Sequence, residues 1–215
     1  MKLAPVNWDS ESLEDLYDSY MSEEDHSSWY LNDLMDIASE CDTITEIGMF
    51  QGHSISAFLR TNPNKVTGYD IDISPINLDT FDRLVPKDTD LHFIQDNSLT
   101  MDVIDECDLL FIDSVHRYEH VIVELIRHGN QAQKFIVVHD TNYPTDTRVL
   151  FWHYTHDGNK PTSQFAYASN VEYKKVGDAV KEFVDNSNGI WYHYKELSEQ
   201  SGMMVIARSA LSSAG

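Results

Sequence analysis

Thr43-Ile44-Thr45-Glu46-Ile47-Gly48-Met49-Phe50-Gln51-Gly52-His53-Ser54 is the stretch on which the fold turns. The short run Thr43–Ile47 predicts a strand, and the glycines after it predict a sharp turn into a helix. Glycine is needed where backbone must turn tightly or touch a ligand, and a helix N-terminus offers free N–H groups. The spacing is Gly-x-x-x-Gly. It lacks the third glycine of the Gly-x-Gly-x-x-Gly dinucleotide fingerprint, and no Lys-Ser/Thr pair follows that would make it a P-loop. Taken alone, such a loop is also what a plain structural turn looks like.

Outward from this loop, short apolar runs recur at Lys65–Tyr69, Leu91–Ile94, Asp108–Ile112 and Phe135–Val138, with helical or turn segments between them. The runs Leu-Leu-Phe-Ile and Phe-Ile-Val-Val are almost continuously apolar, as strands covered on both faces by helices are. Between them, Tyr118, Val121, Ile122 and Leu125 mark one face of a helix within 117–131. Alternating strands and helices predict a doubly wound α/β sheet. Near the end, a helix over Val176–Val184 precedes two strands, Ile190–Tyr194 and Met203–Ala207. Only eight residues separate them, too few for a parallel crossover, so this pair is antiparallel. The expectation is a mostly parallel seven-stranded sheet that closes with an antiparallel hairpin and carries helices on both faces.

The strand ends carry the candidate ligand groups. Tyr69-Asp70-Ile71-Asp72 closes the second strand, with Asp70 24 residues after Glu46, where an acid can take both ribose hydroxyls of an adenosine-type ligand. Gln95-Asp96-Asn97-Ser98 closes the third, where polar side chains can meet an adenine edge. Each acid also reads as a helix N-cap, which Asp and Asn favour.

Composition narrows the function. With 15 Lys+Arg against 36 Asp+Glu, the formal net charge is −21, the opposite of what a phosphate-backbone binder needs. A nucleic-acid partner is therefore not expected, and no Asn/Asp-Pro-Pro-Tyr/Phe stretch of base methylation occurs. The 41% hydrophobic content, with 4 Trp, 11 Tyr and 9 Phe, supports a proper core. No run approaches the roughly 18–20 apolar residues of a membrane span, and Met1–Ser10 has no basic start of a signal peptide, so the expected setting is the cytoplasm without a membrane partner. Cys41 and Cys107 form no metal or redox motif; each stands just before a central strand, and no obligatory disulfide is expected.

On Glu46-x-Gly48-x-Phe50-x-Gly52-x-Ser54 and the strand ends that follow it, the chain resembles class I S-adenosylmethionine-dependent methyltransferases over roughly 43–208. The loop is similar to that of the metal-dependent catechol-type O-methyltransferases. It is also similar to that of the macrocin and mycinamicin sugar O-methyltransferases, near the cephalosporin-hydroxylase-like group. The resemblance implies that Glu46, Gly48, Phe50, Gly52 and Ser54 form the cofactor loop, with Glu46, Gly48 and Ser54 at the methionine end. Asp70 would then take the ribose and Asp96 or Asn97 the adenine, and the sheet would end in the hairpin already inferred.

The fourth strand runs into Asp113-Ser114-Val115-His116 and the fifth into His139-Asp140-Thr141-Asn142. Two carboxylates facing each other at neighbouring strand ends repel, and a hard divalent cation relieves the repulsion. The resemblance places magnesium ligands there, so Asp113 and Asp140 carry over, and Asp113 is also a candidate for holding cofactor. The third ligand stays open among His139, Thr141 and Asn142. The catechol-type enzymes have Asn directly after the second Asp, and the sugar-type enzymes have an acid before it. A histidine ligand would favour manganese or another transition metal over magnesium. His116 stands where these relatives carry their general base, and a neutral imidazole can take a hydroxyl proton; a capping or surface histidine is the plainer reading.

The expected activity is methyl transfer from S-adenosylmethionine to a hydroxyl of a small molecule (a sugar, polyketide or phenol). Two alternatives stand: a non-catalytic S-adenosylmethionine-binding module, and the same fold with metal-dependent hydrolase or hydroxylase chemistry. Residues 1–42 read as an N-terminal helical cap, with helical spacing at Leu13, Leu16, Tyr17, Tyr20, Met21 and again at Leu31, Leu34, Met35, Ala38, joined by a solvated turn at 23–25. Residues 143–175, with Phe151, Trp152, His153, Tyr154 and His156 beside Pro144 and Pro161, read as a substrate lid, a flap or a contact in a homo-oligomer. Residues 209–215 read as a flexible tail.

Overall fold

Strand β1 (Thr43–Ile47) pairs in parallel with β2 (Lys65–Asp70) on one side and β4 (Cys107–Ile112) on the other. Strand β3 (Asp90–Gln95) adds beyond β2, and β5 (Ala132–His139) beyond β4. In this computed structural model, residues 6–22, 29–142, 150–153, 162–165, 174–198 and 201–209 are described. A separate two-stranded antiparallel sheet joins β6 (Leu150–His153) and β7 (Thr162–Phe165). Strands β8 (Trp191–Leu197) and β9 (Met203–Arg208) complete the main sheet in the order β3-β2-β1-β4-β5-β9-β8. β9 runs antiparallel to both neighbours. The doubly wound, mostly parallel seven-stranded sheet with its closing hairpin is the architecture expected from the sequence.

The two faces bury different sets. Along β4, Leu109 and Phe111 enter one apolar cluster with Ile44, Phe58 and Leu59, while Leu110 and Ile112 enter another with Val121, Leu125 and Val180. Helices α1 (Leu13–Met21), α2 (Leu31–Ala38), α3 (His53–Arg60) and α4 (Leu78–Leu84) cover the first face, and α5 (Tyr118–His128) and α6 (Val176–Asp185) the second. Leu16, Tyr20, Leu31 and Leu34 are fully buried in the first cluster, so α1 and α2 share the core of the sheet. The central strands show why their runs are apolar: Leu109, Leu110, Phe111, Ile136 and Val137 have no exposed surface. At the edge, β3 is largely exposed.

The parallel register brings the carboxyl ends of β1, β4 and β5 level, with Ile47 opposite Ile112 and Ile112 opposite Val138. Whatever follows these strands is therefore gathered at one edge, where the strand order reverses between β1 and β4. Of the segment 143–175, read above as a lid, a flap or an oligomer contact, the described residues are β6, β7, 174 and 175; Pro144, Tyr154, His156 and Pro161 lie outside them. The turn at 23–25 and residues 210–215 lie outside them as well. Both cysteines are buried free thiols, and burial pushes Cys41 up to about 12 and Cys107 to about 11. Among the described residues, no helix is long and apolar enough to cross a membrane.

Candidate active site

The loop after β1 is built around Gly48. Its φ is +92°, and a Cβ there would stand 2.4 Å from the Asp113 carbonyl oxygen, so only glycine lets the β1 and β4 exits approach. Gly48 N–H donates to the Tyr69 carbonyl (2.8 Å). Asp70 Oδ2 accepts from the N–H groups of Met49 (2.8 Å) and Phe50 (3.0 Å), and its Oδ1 accepts from Asp72 N–H (3.1 Å). The acid expected to meet a ribose thus also holds the loop in shape. Phe50 sits at φ 45° with its ring half exposed beside this turn. Gly52, at φ 83°, opens α3 without a side-chain cap. Asp96 N–H donates to the Asp70 carbonyl (2.9 Å), which sets the third strand end beside the second. There Asp96 accepts from Asn97 N–H (2.7 Å) and Asn97 Oδ1 from Leu99 N–H (3.0 Å), so both side chains already shape a turn.

Glu46 lies under this loop with no exposed surface. Ser54, in the first turn of α3, donates to its Oε1 through a short hydrogen bond, while Oε2 is buried without a partner among the described residues. Burial pushes the carboxyl well above the usual range. The Ser54 bond opposes that shift, and Asp113 and Asp70 add to it. An unsatisfied buried carboxyl oxygen is costly and calls for a donor, best a cationic one. The α-ammonium of S-adenosylmethionine is such a donor, so Glu46, Gly48, Ser54 and the uncapped start of α3 fit that cofactor.

Across the switch point, Asp113, His116, His139 and Asp140 form one cluster. His116 Nε2 lies 3.0 Å from Asp113 Oδ1, and its Nδ1 makes a short contact with Asp140 Oδ2. His139 Nδ1 is 3.0 Å from Asp113 Oδ1 and 3.3 Å from Asp140 Oδ1. Asp140 sits at φ 57°, a backbone position uncommon outside glycine and a frequent mark of functional sites. Burial works against charge on both acids, yet His139 and His116 hold Asp113 far below the usual carboxylate range and lower Asp140 as well. For His116, burial opposes protonation, but the hydrogen bonds to Asp113 and Asp140 outweigh it and raise the imidazole to about 10.

Asp113, His139 and Asp140 offer ligand atoms that lie within 4.8 Å of one another. Two carboxyl oxygens and an imidazole nitrogen converging at one point suit a divalent cation, and the nitrogen favours a transition metal. Of the other two candidates, Asn142 turns its Nδ2 to the Ser198 carbonyl (3.3 Å). Thr141 is buried with its Oγ1 unpartnered among the described residues, and its N–H bonds the Gly202 carbonyl.

Two residues that carry no sequence motif complete the site. Tyr30, just before α2, donates to Asp113 Oδ2 (3.3 Å) and lays its ring over His139 at 4.0 Å, with Trp29 next to it. Glu124 of α5, fully buried, bonds Ser98 and Ser114 behind the strand ends. A tyrosine ahead of a helix and an acid within one give no periodic or spacing signal.

The seven-stranded sheet in this order is the Rossmann-like fold seen in solved methyltransferase structures. Among solved structures, the chain is similar to the magnesium protoporphyrin IX methyltransferase of Synechocystis PCC 6803 with bound SAH. That match has a TM-score of 0.58 at 10% identity, over 85% of this chain and 83% of that one. It is similar to an O-methyltransferase from Bacillus cereus in complex with SAH, with a TM-score of 0.56 at 13% identity over 92% and 89%. A third is CalS10, a SAM-bound amino pentose methyltransferase from Micromonospora echinaspora, with a TM-score of 0.52 at 12% identity over 86% and 91%. No protein-family pattern and no curated protein matches the sequence.

Proposed function

We propose that this protein transfers the methyl group of S-adenosylmethionine to a hydroxyl of a small molecule (a sugar, polyketide or phenol), with a divalent metal held by Asp113, His139 and Asp140. One observation carries the reading: a buried carboxyl oxygen of Glu46 awaiting a donor lies on the strand next to the Asp113–His116–His139–Asp140 cluster. Cofactor loop and polar cluster thus share the edge at which such sheets bind ligands.

A substrate oxygen attacks the sulfonium methyl in line. The C–O bond forms as the C–S bond breaks, leaving S-adenosylhomocysteine and a proton to be removed. A bound divalent metal would stabilise the developing alkoxide. His116 is the proposed base. While it shares hydrogen bonds with both acids it is protonated at neutral pH; with Asp113 and Asp140 engaged elsewhere, those bonds are lost and the imidazole returns towards neutrality, where it accepts a proton. Tyr30 holds Asp113 from above, and its buried phenol stays neutral because burial and the nearby acids push it well above its usual value. Holding acceptor and donor aligned supplies much of the rate.

Magnesium, manganese and another divalent ion all remain within the proposal. The acceptor is a small molecule and not a nucleic acid, given the −21 charge. A cytoplasmic setting suits the two reduced thiols, and a homo-oligomer is compatible with the proposal. Calorimetric titration of S-adenosylmethionine and S-adenosylhomocysteine, in metal-free buffer and again with Mg²⁺ or Mn²⁺, tests it. Micromolar binding is expected, and no binding under any of these conditions overturns it.

A further inference from the structure

Glu124 is a carboxyl group with no exposed surface in the middle of α5, among the apolar residues Val121 and Leu125. A leucine would satisfy that packing, and a buried polar group is costly unless hydrogen-bonded. Glu124 is fully engaged. Ser98 Oγ donates to its Oε1 (2.6 Å), and Ser114 Oγ lies 2.8 Å from Oε1 and 2.7 Å from Oε2. His120 Nε2 is 3.1 Å from Oε1, and His128 Nε2 lies 2.8 Å from the Ser98 carbonyl.

The two serines belong to different strand ends. Ser98 follows Asp96 and Asn97 after β3, and Ser114 follows Asp113 after β4. In the sheet, β3 and β4 are separated by β2 and β1, so no ladder hydrogen bond ties their ends together. Glu124 does so from beneath. Building on the cofactor reading above, we infer that Glu124 is a positioning residue that fixes the gap between the post-β3 and post-β4 loops, and so shapes the slot for the nucleoside half of the cofactor. It touches neither the reacting methyl nor the metal donors. Its effect therefore falls on any ligand with an adenosine group, with or without an amino-acid tail.

The test uses the full chain and two probes, S-adenosylhomocysteine and 5′-methylthioadenosine, which lacks the amino-acid tail. Glu124→Leu is expected to weaken both by the same factor, about tenfold. Glu124→Gln, which keeps an acceptor for Ser98 and a partner for Ser114, stays within about threefold of the parent. A folded Glu124→Leu protein that binds both as the parent does overturns the inference, as does a loss confined to S-adenosylhomocysteine. If Glu124→Leu does not fold, the Ser98→Ala/Ser114→Ala double variant replaces it, and undiminished binding there counts equally against the clamp. Hydrogen exchange of residues 96–101 and 113–117 decides the matter apart from ligand. Faster exchange in the variant supports the clamp and unchanged exchange overturns it, even if the parent binds neither probe and the cofactor reading itself fails.

Discussion

Glu46 and His116 are the two residues whose chemistry is most exposed to test. Glu46 has one oxygen bonded to Ser54 and the other buried without a partner among the described residues, which lowers stability unless a ligand donates to it. Glu46→Gln removes the acceptor for a cationic ammonium and also the charge that burial penalises. S-adenosylhomocysteine affinity is expected to fall by roughly 2 kcal/mol, about thirtyfold, while the melting temperature of the unliganded protein holds or rises. Unchanged affinity in calorimetry would remove Glu46 from the cofactor site.

For His116 the sign follows from a folded value of about 10 against an ordinary 6.5. Its stabilisation is complete below about 6.5 and disappears as pH rises through 10. Asp113 and Asp140 are shifted the other way, so theirs is present above the ordinary carboxylate range and disappears on acidification. The cluster should stabilise most between about pH 4 and 6.5. The melting-temperature difference between the parent and His116→Gln should be largest near pH 6 and shrink by pH 9.5. A difference that grows over that range would contradict the bridged arrangement.

Among the elements, the loop from β1 into α3 tolerates least. Gly48→Ala places a methyl 2.4 Å from a backbone carbonyl at a φ that disfavours any side chain, so neither partner can yield cheaply. A destabilisation of about 2–4 kcal/mol is expected, read as a lowered denaturation midpoint at constant slope. A midpoint within error of the parent would mean that the two strand exits are not packed as described. This loop was legible because strand, glycines and helix follow in fixed order, and β4 and β5 were legible because both their faces are buried. The hairpin β8–β9 was legible from the short connection alone. Glu124 and His128 were not, because polar side chains within a helical pattern read as a solvated face until the strand-end loops behind them are placed. Tyr30 was equally hidden: its contact with Asp113 spans 83 positions, and no local pattern encodes it. For Asp96 and Asn97, turn-forming and ligand-binding roles draw on the same side chains, so sequence alone cannot separate them.

For the whole molecule, the net charge of −21 sets a general response to salt. Self-repulsion opposes the compact state, whereas pairs such as Arg60–Glu14, Lys65–Asp105 and Lys195–Asp33 are partly exposed, and each contributes at most about 1 kcal/mol. Both effects are screened together, so the larger one fixes the sign. At 0.01 M ionic strength the screening length is about 30 Å, comparable with the molecule, and at 0.15 M it is about 8 Å. Repulsion summed over the surface is therefore relieved strongly across this range, while contacts of 2.6–3.4 Å lie well inside both lengths and change little. The melting temperature should rise between 10 mM and 150 mM NaCl by several degrees, since about 1 kcal/mol corresponds to roughly 2–4 °C for a domain of this size. A fall over the same range would show that local ion pairs outweigh the collective charge, and that the acid is distributed so as to find partners.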